Sequence, residues 1–133
     1  MKLQQEDRNA LVILRFQRAK ETIFETKGNM QLGYWRIAAN RLYYACYYAA
    51  SALLIKHQIT THSHAGVLNQ LGLYFVSKGI INNEIGKTIK QLFNLRQTGD
   101  YDDWVVITED KIAPLIAPAE EFINEMEKLI NNP

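Results

Sequence analysis

The chain has 133 residues, 47% of them hydrophobic and 22% charged, close to the averages of a globular protein. That length predicts one domain over residues 1–133 with a core that needs no cross-links, and the single cysteine, Cys46, excludes an intrachain disulfide and suits a reducing, cytoplasmic setting. Fifteen basic against fourteen acidic residues give a net charge of +1, which excludes the overall basic field of a duplex-coating protein; no apolar run of about 18 residues exists to span a membrane.

Helical periodicity dominates the sequence. In the first segment Val12, Phe16, Ala19 and Ile23 fall on one stripe, and Lys27-Gly28-Asn29 offers a stop and a new cap. The second segment, about Met30 to His57, is the longest and contains no proline. Its stripe Trp35, Ala38, Leu42, Ala45, Ala49, Ala52 is mostly small, which lets neighbours approach closely and marks it as the central helix. A polar connection from Gln58 to Ser63 precedes a third helix, about His64 to Lys78, with Val67, Leu68, Leu71 and Phe75 inward and Gly79 as its end. Asn82 or Asn83 can cap a fourth helix whose stripe runs Ile85, Ile89, Leu92 and then Arg96. Residues 99–107 read as a structured loop. Thr108 can cap the last helix, in which Ile112, Leu115, Ala119, Phe122, Met126 and Ile130 face inward. Pro114 and Pro118 lack a backbone donor and should kink or split its first two turns. The pattern predicts an all-α fold, an antiparallel up-and-down bundle of four to five helices.

Two stretches stand out chemically. The first is Asn40-Arg41-Leu42-Tyr43-Tyr44-Ala45-Cys46-Tyr47-Tyr48, with four tyrosines within six residues. On a helix Arg41, Tyr44 and Tyr48 form one stripe, and Asn40, Tyr43 and Tyr47 the next. Rings, hydroxyls and a guanidinium together suit a nucleotide, because bases stack on rings and arginine forks onto phosphate. The alternative is that the tyrosines pack between helices or across a dimer and satisfy their hydroxyls there. The second stretch is Leu95-Arg96-Gln97-Thr98-Gly99-Asp100-Tyr101-Asp102-Asp103-Trp104. Arg96 continues an inward stripe, so it needs a partner, and Asp100 or Asp102 is near enough to provide one. It could bind phosphate or stabilise charge during RNA cleavage, or it could lock the loop to the bundle.

Cys46 has no basic neighbour on its helical face to activate it, so it reads as a packing residue. His62 and His64, two residues apart with no cysteine nearby, do not make a zinc pattern, and no metal or other cofactor is expected. His64 reads as capping or packing at the start of the third helix. Phosphate-loop and serine-elbow motifs are absent from the sequence.

The pairing of Arg41-Leu42-Tyr43-Tyr44-Ala45 with Leu95-Arg96…Gly99-Asp100-Tyr101, together with Thr61-His62-Ser63-His64-Ala65-Gly66-Val67, resembles the HEPN domain family, in particular its small stand-alone prokaryotic branch. The resemblance runs from about Asp7 to Ile130. It implies an all-α bundle that commonly dimerises and binds nucleotides or RNA. Many members are metal-independent ribonucleases, and some are toxins paired with a minimal nucleotidyltransferase. Their nuclease motif is an arginine, four to six residues, then a histidine. Arg96 matches the arginine, but no histidine follows it, and Asp100 and Tyr101 stand there instead. Neither substitutes readily for an imidazole in proton transfer near neutral pH. The expectation is therefore a nucleotide- or RNA-binding module without the usual ribonuclease activity, its site built from Arg41, Tyr44, Tyr48, Arg96, Asp100 and Tyr101. Two other readings stand beside it. One is an interaction protein that dimerises or pairs with a nucleotidyltransferase through the tyrosine helix. The other is a ribonuclease with a non-standard proton acceptor.

Overall fold

The computed structural model describes residues 3–132, which form an all-α bundle. Helix α1 spans Gln5–Gln31, α2 Trp35–Lys56, α3 His64–Leu71, α4 Asn83–Tyr101 and α5 Glu109–Asn131. A π-helical turn, Gly72–Val76, continues α3. Helix α2 lies at the centre and packs against α1, α3, α4 and α5. Its predicted small-residue stripe is the reason: Ala38, Leu42, Ala45, Ala49 and Ala52 are all buried, and Trp35 is half-buried. Cys46 is fully buried on the same helix, 3.8 Å from the Ala119 carbonyl of α5, and burial pushes its thiol far above the ordinary range.

The helix ends explain where the boundaries fall. Helix α1 does not stop at Gly28, which costs a long helix only about 1 kcal/mol. It continues to Gln31 and closes at Gly33, whose φ of 75° is left-handed; the amides of Gly33 and Tyr34 return to the carbonyls of Met30 and Asn29. The same reversal ends α2 at Gln58 (φ 59°) and the π-turn at Gly79 (φ 75°). Ser63 caps α3 by accepting from the Gly66 amide at 2.9 Å, and Asn82 caps α4 by accepting from Ile85 at 2.8 Å.

Two expectations need correction. The stretch from Gly99 is not all loop: α4 runs on through Gly99-Asp100-Tyr101, which sets Asp100 one turn beyond Arg96 on the same helix. Gly99 serves packing there, since a Cβ would meet Ile107 at 3.1 Å. Nor do Pro114 and Pro118 split the last helix, because α5 runs unbroken through both. The carbonyls they leave without a donor belong to Asp110 and Pro114, both exposed residues that water can reach. Thr108 occupies the position before α5 as expected, but its hydroxyl bonds the Asp110 carboxylate rather than a backbone amide.

Candidate functional site: an arginine–tyrosine–histidine cluster

The tyrosines of α2 project toward α3 and α4 in one aromatic band. Tyr43 is fully buried, and its ring meets Tyr44 at 5.3 Å and Phe93 of α4 at 5.6 Å. Tyr44, half-buried, is the hub. The Arg41 guanidinium lies over its ring at 5.0 Å and that of Arg96 at 5.4 Å, so two cations from different helices meet one aromatic ring. Arg96 also donates to the Tyr44 hydroxyl at 3.4 Å.

A polar chain links the two cations at their outer side. Arg41 donates through Nε and Nη2 to the side-chain Oδ1 of Asn40, at 3.1 and 2.9 Å. Asn40 donates onward to Asp100 Oδ2 at 3.1 Å, and the same oxygen accepts from Arg96 Nε at 3.1 Å. The Arg96 side chain is only 12% exposed and that of Asp100 24%, so this pair is largely removed from water. Asp102 takes no part; its carboxylate accepts from the Trp104 amide at 2.9 Å. Arg96 thus has the acidic partner that a structural lock requires. Arg41 has only a neutral one. The cluster carries two guanidiniums against one carboxylate.

Tyr101 packs its ring under Arg96 at 5.6 Å yet is 71% exposed. Together with Asn40, Asp100, Arg36 and Ile37 it borders an opening of about 440 Å³. Of the six residues expected at a site, five come together here: Arg41, Tyr44, Arg96, Asp100 and Tyr101. Tyr48 does not join them. Its ring touches Tyr44 at 5.9 Å, but its cation is Arg18 of α1, at 5.7 Å.

Sequence reasoning gave His64 only a capping or packing role, and it does more than that. Ser63, not His64, caps α3. The His64 imidazole stacks on Tyr47 at 4.5 Å, meets Tyr44 edge-on at 5.5 Å, and holds its Nδ1 2.8 Å from the Tyr43 hydroxyl. Burial, and then the nearby charge of Arg96, lower its pKa below the usual histidine value, so it is neutral at pH 7. Burial, and then Tyr47, push the Tyr43 phenol far above its ordinary range, so that hydroxyl keeps its proton. The cluster therefore offers two cations, stacking faces and one neutral imidazole. The only signal in the sequence was Ser63-His64 at a helix start, which says nothing of what the imidazole meets across a gap of 21 residues.

The chain resembles known proteins over most of its length. A profile of the HEPN domain matches residues 13–129. A UPF0332 protein of Thermotoga maritima is 36% identical over 115 residues, covering 86% of this chain and 87% of its own. Two proteins of Methanocaldococcus jannaschii, each named as a candidate toxin, are 35% and 25% identical; the matches cover 84% and 86% of this chain and 78% of each relative.

Proposed function

The chain belongs to the HEPN domain family, and from that premise we propose that it is a nucleotide- or RNA-binding module whose site is the Arg41–Tyr44–Arg96 cluster. One observation supports this above the others: two guanidiniums converge on the Tyr44 ring with a single carboxylate between them. A phosphate entering at the Asn40–Asp100–Tyr101 opening would meet Arg41 and compete with Asp100 for Arg96, while a base could stack on the exposed Tyr101 ring. The names of two archaeal relatives support a toxin-like setting; on this reading the partner is a second copy of the chain or a nucleotidyltransferase and the place of action is the cytoplasm. No helix among the described residues is long and apolar enough to cross a membrane.

The test is thermal unfolding with and without a panel of nucleotides and short RNAs, since a ligand held only by the folded state raises the midpoint. The rise is expected in wild type and lost in Arg96→Ala and Arg41→Ala. Among the described residues Arg41 has no acidic partner, so its variant keeps the experiment decisive if loss of Arg96 unsettles the fold. Normal affinity in both folded variants overturns the assignment.

A second reading, RNA cleavage, is favoured by His64. In the tautomer whose Nδ1–H donates to Tyr43, the imidazole keeps a free Nε2 lone pair, a proton acceptor brought to the cluster through space instead of along α4. On this reading the wild type cleaves RNA without added metal and His64→Gln does not, while both bind it equally. Wild type that binds RNA and leaves it intact rejects cleavage and retains binding.

A further inference from the structure

On the far side of Tyr47 lies a second opening, formed by the first turns of α1, the second half of α2 and the chain that follows it. It encloses about 410 Å³, within the range of small-molecule sites. Its polar lining is Arg8 and Arg15 from α1, Tyr47 and Ser51 from α2, and Thr60 and Thr61 beyond. No carboxylate lines it among the described residues.

Arg8 is unusual, because a guanidinium only 8% exposed normally needs an acid. It has none among the described residues. Nη1 donates to Gln5 Oε1 at 2.8 Å and Nη2 to the Leu3 carbonyl at 3.0 Å, both neutral acceptors. Arg15 is half-buried and has neither a hydrogen bond nor an ion pair within the described residues. Ser51 is 7% exposed, and its hydroxyl has no partner there either, although helical serines can bond the carbonyl four residues back. Donors without an anion, those of the buried Arg8 among them, line this opening and are complementary to an anion from outside. The remaining lining is apolar, Leu54 and Ile59 among it, with the Tyr47 ring at its edge.

We propose that this cavity binds the phosphate of a nucleotide, with Arg8 and Arg15 on the phosphate oxygens and the base against Tyr47 and the apolar wall. Two arginines match a phosphate because the guanidinium fork donates in pairs to its oxygens. Hydroxyls of Ser51, Thr60 and Thr61 can serve the remaining oxygens, and no acid repels them. The phosphate can belong to a free mononucleotide or to one residue of a longer RNA. The second source is geometrically natural, since the Tyr47 ring bordering this cavity stacks on His64 of the first cluster. The proposal stands on Arg8, Arg15 and Ser51 and does not depend on the function assigned to Arg41 and Arg96.

Amide-resolved NMR titration of the full chain with inorganic phosphate, AMP and an adenylate decamer tests it. AMP should move the backbone amides of Ser51, Gln58, Thr60 and Thr61 in a saturable way, and Arg15→Gln, on the outer wall, should weaken this at least tenfold. Unchanged spectral dispersion of Arg15→Gln confirms that it is folded. Saturation by AMP with no tighter binding of the decamer identifies a free nucleotide; a decamer that binds these amides tenfold or more tighter identifies an RNA strand. Either result supports the site. Amides that none of the three probes moves, or that respond equally in Arg15→Gln, overturn it. Shifts around His64 and Tyr101 are read separately in the same spectra, so failure here and failure of the first cluster are distinguishable.

Discussion

The two sides of the tyrosine band are charged on different plans. Toward α4, Arg96 is neutralised by Asp100, and Asn40 ties that pair to Arg41. Toward α1, Arg8 is held by a glutamine and a backbone carbonyl, and Arg15 by nothing charged among the described residues. Both sides put guanidiniums beside tyrosines. Only the first supplies its own anion. An arginine thus meets an internal acid on one side of α2 and only neutral acceptors on the other. The discriminating fact is the partner, not the burial.

The largest expected effect tests that contrast directly. Arg96→Ala strands Asp100 at 24% exposure and should lower unfolding free energy by about 2 kcal/mol, whereas Arg15→Ala should change it by less than about 0.5 kcal/mol, both by urea titration. Equal losses would erase the asymmetry. Next, Tyr43→Phe removes the partner of His64 Nδ1 and should cost about 1 kcal/mol, because the half-buried imidazole then faces a bare ring. Gln58→Gly, on the α1 side, should instead gain some tenths of a kcal/mol, since glycine adopts a φ of 59° without the clash a Cβ brings.

The smallest effect is one of pH. His64 has a lowered pKa in the folded state, so the unfolded chain takes up its proton first as pH falls. Its contribution is complete above about pH 6.5 and is lost as pH falls from there through the lower folded value. His57 is lowered as well, by burial and then by Lys56, so wild type loses midpoint temperature through two groups. His64→Gln should retain a shallower loss, measured by thermal melts from pH 7.5 to 5. An identical slope in the variant would show that Arg96 and burial do not act on His64.

Much of the bundle could be read before any coordinates. The stripe of α2, the caps at Ser63 and Asn82 and the inward course of Arg96 depend only on residues a few positions apart, and local periodicity encodes them. The misreadings have two causes, a long helix that tolerates a local break signal and tertiary packing that calls for a glycine. Gly28 and Gly99 looked like breaks but are helical, one because its helix tolerates the cost and the other because Ile107 and Arg36 crowd the place of its Cβ. At the site, Asp100 or Asp102 was legible as a partner for Arg96, and the continuation of α4 selects Asp100. The docking of His64 on three tyrosines was not legible, and neither was the cavity that Arg8 and Ser51 both line, since each joins helices whose relative placement no short motif specifies.

The π-turn after α3 has a consequence for chain length. Val67, Leu71 and Phe75 are spaced by four, so on a 3.6-residue helix they would run ahead of a straight stripe, and a wider turn takes up the excess. Its i→i+5 bond, from the Ser77 amide to the Gly72 carbonyl at 2.9 Å, stores one surplus residue inside the helix without a loop. Removing a residue there would let the wide turn close to an ordinary α-helical one, whereas removing one from α3 itself would rotate everything downstream by about 100°, carrying Ile81 off the core and Gly79 off its reversal. The interval from Ser63 to Asn82 is therefore a ruler: its count of residues, as much as their kind, sets how α4 meets α2.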